Sequence, residues 1–220
     1  MPAENYRLLQ KSISEAALRA GRNPDSVTLI AVTKTVGIAE VKKAVAAGIT
    51  DFGENRVQEA AVKVEQMPDL RWHFIGHLQS NKVKDVLPHY TMIHSLDRPS
   101  LARALQKCAE RFDQTAEVLV QVNTSGDDSK FGLAPEELPR FLDRVSVFDR
   151  INIRGLMTMA PYVEDAEETR PWFRLLRQLR DENCRSALEL PELSMGMTND
   201  FTVAIEEGAT MIRVGSALFK

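Results

Sequence analysis

The feature that most constrains the fold of this chain is a regular alternation of short apolar runs with amphipathic segments. The first apolar run, residues 27–34 (VTLIAVTK), is rich in β-branched residues, which is typical of a strand buried on both faces in a parallel sheet. Residues 38–47 follow with helical spacing, and Gly48 stands where a left-handed residue commonly ends a helix. An opening helix precedes both segments, with apolar residues at helical spacing between Tyr6 and Ala20.

Seven further strand-like segments repeat this pattern, at residues 50–53, 71–75, 91–95, 117–123, 152–158, 192–194 and 210–214. Helix-like segments separate them, at residues 57–66, 82–87, 100–112, 136–147, 167–184 and 199–207. Strands joined by helices must run parallel, because each crossover returns the chain to the same end of the sheet. Eight such units predict a closed (β/α)₈ TIM barrel in the α/β class, formed as a single domain by residues 1–220.

Only six residues follow the eighth predicted strand, so these 220 residues lack the usual final helix of such a barrel. We expect the N-terminal helix to fill that gap. A doubly wound open sheet is the alternative fold. Such a sheet more often carries a Gly-rich turn after its first strand, and residues 33–40 (TKTVGIAE) do not form the G-x-G-x-x-G pattern.

Composition limits the partners of the chain. The 28 Lys and Arg residues against 31 Asp and Glu give a formal charge of −3, without the basic footprint of a nucleic-acid binder. No apolar stretch approaches the length that a bilayer requires, so we expect no membrane contact. The two cysteines, Cys108 and Cys184, cannot form a disulfide framework, which favours a reducing cytoplasm. We expect a monomer that binds a small molecule.

Functional residues of a parallel barrel lie at the C-terminal ends of its strands, and here those ends are polar. They carry Lys34, Glu54, Asn55, His77, His94, Ser95, Asn123, Thr158 and the segments 194–198 and 213–216. We expect these side chains to face one another. His73 and His77 belong to a strand end rather than a helix, so we predict no metal site, and we assign His73 and His89 to packing or to the surface.

Lys34 shares strand parity with Ile30 and Val32 and should point the same way. If that side is the barrel interior, partial desolvation would favour the free amine, which is the nucleophile of Schiff-base chemistry. Alone, a lysine at a strand end is more often a solvated surface residue.

The loops after the seventh and eighth strands often form the phosphate site of such barrels. Here the first loop offers Ser194, Thr198 and the start of the next helix, and the second offers Gly215 and Ser216. With a lysine across the barrel, these loops describe a site for a phosphorylated carbonyl compound. Pyridoxal 5′-phosphate (PLP) fits that description.

Seven segments in order resemble the pyridoxal phosphate homeostasis protein family across nearly the whole chain. They are LIAVTKT (29–35), DFGENRVQE (51–59), WHFIGHLQSNK (72–82), SKFG (129–132), IRGLMTM (153–159), SMGMTND (194–200) and MIRVGSALF (211–219). That family in turn resembles the barrel domain of alanine racemase, so the resemblance implies the same barrel and a PLP site.

The resemblance also implies a role for each site residue. Lys34 would hold PLP as a Schiff base, Ser194, Thr198, Gly215 and Ser216 would form the phosphate cup, Asn55 would lie near the ring, and Arg213 would face the pyridine nitrogen. A charged guanidinium there disfavours protonation of the nitrogen and weakens the ring as an electron sink.

Racemisation needs a second acid/base, which alanine racemase takes from an additional domain of a partner subunit, and none fits within these 220 residues. The resemblance therefore implies a non-catalytic carrier or buffer of PLP, with apo PLP-dependent enzymes as candidate recipients. Three alternatives stay open: a racemase of low activity, a class I Schiff-base aldolase and a scaffold for protein partners.

Overall fold

The computed structural model describes residues 2–186 and 188–220, so Met1 and Ala187 of the predicted domain lie outside the described residues. Eight strands of this part of the chain pair in parallel, each with its sequence neighbour, and β1 pairs with β8 to close the ring. The predicted (β/α)₈ barrel is thereby confirmed. The strands are β1 (Thr28–Val32), β2 (Asp51–Glu54), β3 (Arg71–Phe74), β4 (Met92–Leu96), β5 (Ala116–Gln121), β6 (Ile151–Met157), β7 (Glu192–Ser194) and β8 (Met211–Val214).

Helices connect the strands around the outside of the barrel. They are α1 (Pro2–Arg19), α2 (Ile38–Ala46), α3 (Val57–Gln66), α4 (Val83–Val86), α5 (Pro99–Phe112), α6 (Leu138–Val145), α7 (Arg170–Asn183), α8 (Phe201–Glu206) and α9 (Ser216–Phe219). In the described residues, none of these helices combines the length and hydrophobicity needed to cross a bilayer.

The N-terminal helix α1 completes the helical layer, as the sequence predicts. It packs against α8, α9 and α2 through a stripe that includes Leu9 and Ile13. The Asn5 side chain donates to the Leu218 carbonyl (3.1 Å), which joins the two ends of the chain. The short α9, absent from the predicted elements, begins directly after β8 and stands where a longer final helix would start.

Two apolar cores lie on opposite faces of the strands. The larger fills the space between the strands and the helices. The smaller lies inside the barrel and consists of Ile30, Met92, Leu119, Met157 and Met211. Ile30 faces inward, so the alternation of β1 also directs Val32, its last residue, toward the cavity above this inner cluster.

Element boundaries differ from the prediction at two places that matter for the site. β1 ends at Val32, and Lys34 lies in the turn that follows, closed by a hydrogen bond from Val36 N–H to the Thr33 carbonyl (3.2 Å). α7 begins at Arg170 rather than at residue 167, because Pro171 occupies its first turn, where the missing N–H costs nothing.

The packing of α1 against the barrel predicts a stability difference within this one helix. Ile13 is 1% exposed and Leu18 is 66% exposed. Ile13→Ala should lower the free energy of unfolding by about 2–5 kcal/mol, because it leaves a cavity against α8 and α9. Leu18→Ala, the matched control, should change it by less than about 0.5 kcal/mol. Urea unfolding measures both, and equal effects would contradict the docking of α1.

Candidate functional site

A cavity of about 900 Å³ opens at the C-terminal ends of the strands. Its size is within the range of small-molecule sites. The predicted cofactor residues on its wall are Lys34, Asn55, Thr198, Arg213, Gly215 and Ser216. Ser194 is the predicted residue that does not line it. Six of the seven predicted cofactor residues therefore lie on one cavity wall, together with many residues that the sequence did not single out.

Lys34 lies on the cavity wall and is exposed. The expectation that its amine is desolvated inside the barrel is therefore wrong for this structure, because β1 ends two residues earlier and the turn lifts Lys34 to the mouth of the cavity. The position still directs the side chain to a site that both a small molecule and water can reach.

The turn that carries Lys34 is held by a buried lysine on the neighbouring helix. The Lys63 ammonium donates to the Thr33 carbonyl (2.7 Å) and to the Val36 carbonyl (3.2 Å), on either side of Lys34. It also forms an ion pair with Glu54, whose carboxylate accepts the Thr33 hydroxyl (2.5 Å). Lys63 thus fixes the backbone of the turn while leaving the side chain of Lys34 free.

Lys63 is not among the residues predicted for the site, although the sequence does contain a signal for it. In α3 the buried positions are Ala60, Lys63 and Val64, which is the spacing of one helical face. A lysine on an otherwise apolar face needs a partner, and Glu54 at the end of β2 supplies it.

Two hydroxyls face each other beside Lys34. Ser216, after β8, donates to the Thr198 hydroxyl, after β7 (3.1 Å). The backbone at Gly215 lies close to β1, since a Cβ there would be 3.2 Å from the Val32 carbonyl oxygen. The expectation that the phosphate loops lie across the barrel from Lys34 is therefore wrong: β8 is the hydrogen-bonded neighbour of β1.

Arg213 lies at the inner end of the cavity and is 4% exposed. Its guanidinium donates to the Thr158 carbonyl (2.8 Å) and to the Ser194 hydroxyl (2.5 Å). Burial lowers the pKa of Arg213 to about 10, while the nearby Asp200 carboxylate acts to raise it. The guanidinium consequently stays protonated at neutral pH and presents a fixed positive charge to the cavity.

Ser194 lies behind Arg213, away from the cavity. It is fully buried, and its oxygen bonds to Arg213 and to the His94 ring (2.9 Å). Its placement among the phosphate ligands is not supported by this geometry, because β7 ends at Ser194 and directs its side chain into the barrel. A serine on the inner face of a strand and a serine on a loop look the same in sequence.

Asn55 carries a polar atom that has no partner in the protein. Its Oδ1 is buried and accepts no hydrogen bond from the described residues, although the residue lines the cavity. Gly76 allows β3 and its loop to approach closely, because a Cβ there would lie 2.1 Å from the Asn55 carbonyl oxygen. An unpaired buried acceptor on a cavity wall is suited to a donor group on a ligand.

An aromatic pair forms part of the wall further around the barrel. The rings of His77 and Phe131 stack with centroids 4.1 Å apart and an interplanar angle of 19°. Gln121 holds the Phe131 backbone by donating to its carbonyl (3.1 Å). Phe131 belongs to the SKFG segment, but its role is not predictable from the sequence, since its stacking partner His77 is distant in the chain.

Comparisons with known proteins agree with this geometry. Residues 5–220 match the family described as alanine racemase, N-terminal domain. The chain is 44% identical over 216 residues to the pyridoxal phosphate homeostasis protein of Aquifex aeolicus, covering 97% of this chain and 94% of that protein. Among solved structures, it is similar to PipY of Synechococcus elongatus with PLP bound, at 38% identity and a TM-score of 0.83, over the full length of both chains.

The alanine racemase of Clostridium difficile shares the fold. Its identity to the chain is 16% and its TM-score is 0.77, and the likeness covers 98% of this chain but 56% of the racemase. The rest of the racemase has no counterpart in this match.

The ion pair beneath the Lys34 turn predicts a stability effect. Lys63→Met leaves the Glu54 carboxylate buried without a cation and should lower the free energy of unfolding by about 3–5 kcal/mol, as measured by urea unfolding. Adding Glu54→Gln removes the stranded charge and should recover part of that loss. If the double variant is as unstable as Lys63→Met alone, the ion pair does not have this role.

Proposed function

The chain belongs to the family of pyridoxal phosphate homeostasis proteins, with the alanine racemase N-terminal domain, and we propose that it binds PLP in the cavity and holds it reversibly. Residues 1–220 act as one PLP-binding domain in this proposal. PLP homeostasis by storage and release is the function that follows, with apo PLP-dependent enzymes as recipients in the cytoplasm.

The order of the strands around the barrel carries the proposal. In PLP the phosphate arm, the aldehyde and the hydroxyl occupy three consecutive ring carbons, and the ring nitrogen lies opposite the aldehyde carbon. In the protein, the Thr198 and Ser216 hydroxyls, Lys34 and Asn55 follow β7 and β8, β1 and β2, which are consecutive in the ring of strands. The order of the protein groups around the barrel therefore matches the order of the substituents on the PLP ring.

Asn55 and Arg213 supply the remaining contacts. The unpaired Oδ1 of Asn55 is an acceptor for the ring hydroxyl. Arg213, which is 4% exposed and lines the cavity, supplies the positive charge that would face the ring nitrogen in this proposal. The residues present therefore fit PLP in charge, in donor set and in order.

Lys34 forms the covalent attachment. Its ammonium releases a proton to water, the amine nitrogen attacks the aldehyde carbon, a C=N bond forms and the aldehyde oxygen departs as water. The exposure of Lys34 allows that proton and that water to leave, and hydrolysis reverses the same steps.

Arg213 supports a non-catalytic role. Bound PLP supplies an electron sink for carbanion chemistry, which is strongest when the ring nitrogen is protonated. A guanidinium that stays charged at neutral pH opposes that protonation. Its neighbours keep it in place, so the site favours holding PLP over activating a substrate.

Borohydride reduction tests the attachment. The protein is mixed with PLP, reduced and mapped by mass spectrometry, and the adduct should lie on Lys34, the attachment residue. Lys220 also lines the cavity, so adduct formation there instead would reject the assignment.

Lys34→Ala should abolish the yellow colour and the adduct while changing the free energy of unfolding little, because the side chain is exposed. Lys42→Ala, an exposed lysine on α2 outside the cavity, should bind PLP as the unchanged protein does.

Turnover separates a carrier from an enzyme. The PLP-loaded protein is incubated in D₂O with single enantiomers of alanine, and exchange of the α-hydrogen is followed by NMR. We expect no exchange above that of free PLP. Sustained exchange or inversion would reject the non-catalytic proposal while leaving PLP binding intact.

A further inference from the structure

A continuous line of hydrogen bonds runs from the cavity through the barrel interior to the opposite end of the strands. From Arg213 the line passes to the Ser194 hydroxyl (2.5 Å) and on to His94 Nδ1 (2.9 Å). His94 Nε2 lies 3.0 Å from His73 Nδ1, and His73 Nε2 lies 2.9 Å from Asp51 Oδ1. We call these five residues the interior relay.

The two ends of the interior relay determine its direction. Arginine only donates hydrogen bonds, and an ionised carboxylate only accepts them. With both rings neutral, Ser194 must therefore donate to His94 Nδ1, and each histidine must carry its hydrogen on Nε2. Every bond then points the same way, from the positive end to the negative end, which strengthens each one.

The electrostatic environment agrees with this arrangement. Burial, helped by the nearby charge of Arg213, lowers the pKa of His94 well below its usual value, so the His94 ring is neutral. Burial alone would raise the pKa of Asp51, but hydrogen bonds from His73, Thr50 and Arg71 outweigh it and lower the value to about 2. Asp51 is therefore ionised at neutral pH.

Among the described residues, the side chains of His73, His94 and Ser194 hydrogen-bond only within the relay. His73, His94 and Ser194 are each 0% exposed, and they lie on the inner faces of β3, β4 and β7. An unmade hydrogen bond in such a place leaves a buried polar group unsatisfied. The guanidinium of Arg213 therefore has one favourable orientation, in which one nitrogen donates to the Thr158 carbonyl and the other to the Ser194 oxygen of the relay.

We propose that Ser194, His94 and His73 are positioning residues, which hold the Arg213 guanidinium in a single orientation toward the pyridine nitrogen of the bound cofactor. The orientation of Arg213 toward the cofactor rests on the proposed function, whereas the hydrogen bonds of the relay do not. It gives Ser194 a role that differs from phosphate binding.

Histidine tautomers test the relay in the protein without PLP. Two-bond ¹H–¹⁵N NMR on histidine-labelled protein distinguishes Nδ1–H, Nε2–H and doubly protonated rings. His77→Gln and His89→Gln, outside the relay, assign the other two signals. In roughly neutral solution, at about pH 7.5, His73 and His94 should both be neutral and carry their hydrogen on Nε2. A ring with hydrogen on Nδ1, or a doubly protonated His73, would overturn the direction of the relay.

Binding measurements test its consequence. Ser194→Ala should weaken PLP binding by at least about tenfold, because Arg213 keeps the Thr158 carbonyl but loses the acceptor that holds its other nitrogen. It should not weaken binding of a deaza analogue of PLP in which C–H replaces the ring nitrogen. Ser95→Ala is the matched control, since Ser95 is equally buried, adjoins His94 and its hydroxyl has no partner among the described residues.

The outcomes separate the two proposals. Equal losses for PLP and the deaza analogue, or no loss for either, would overturn the positioning role. If the unchanged protein failed to bind PLP, the proposed function would fail, whereas the tautomer measurement would still decide whether the relay exists.

Discussion

The pairing of β1 with β8 is the constraint on which the site depends. Hydrogen bonds between these strands, with Ala31 opposite Val214, turn an open sheet into a ring. Closure makes the last strand a neighbour of the first. The turn that carries Lys34 and the loop that carries Ser216 are far apart in sequence, yet they adjoin in space for this reason alone. An open sheet with the same strands would separate them by its full width.

Closure also creates an interior that a sheet of this size would not otherwise have. Small and medium apolar side chains such as Ile30 and Leu119 fill the lower part, and a polar line of residues passes between them. Buried polar groups of this kind are costly unless each has a partner, and here the partners come from five different strands. The barrel thus joins a charge at its mouth to an opposite charge at its other end.

Much of the fold is predictable because strand and helix periodicities are local. The eight strands, their parallel order and the closing role of α1 all follow from spacing that can be counted in the sequence. The segment ends are less predictable: Lys34 belongs to a turn because Lys63, 29 residues later, holds the carbonyls on either side of it. Contacts at that distance leave no local pattern.

The same limit applies to the site. Lys34, Asn55 and Arg213 are recognisable as strand-end residues, so the sequence predicts that they meet. Ser194 is also at a strand end, but its direction depends on where β7 stops, and the strand stops at that residue. His73 is the opposite case, a residue that was not predicted to have a role and whose hydrogen bonds the sequence does not reveal. It is predicted to be a packing or surface residue and is indeed buried, but its hydrogen bonds to His94 and Asp51 form only when all three strands are in place.

The exposure of Lys34 determines how a cargo would leave. In a site closed to solvent, release would have to wait for a lid to move or for an incoming amine to displace the lysine. At an open mouth, bulk water would reach the carbon–nitrogen linkage that we propose for Lys34, so the cargo would exchange with the solution without such a step. Such a protein behaves as a reservoir in equilibrium with its surroundings, and it fills or empties without any signal from a partner.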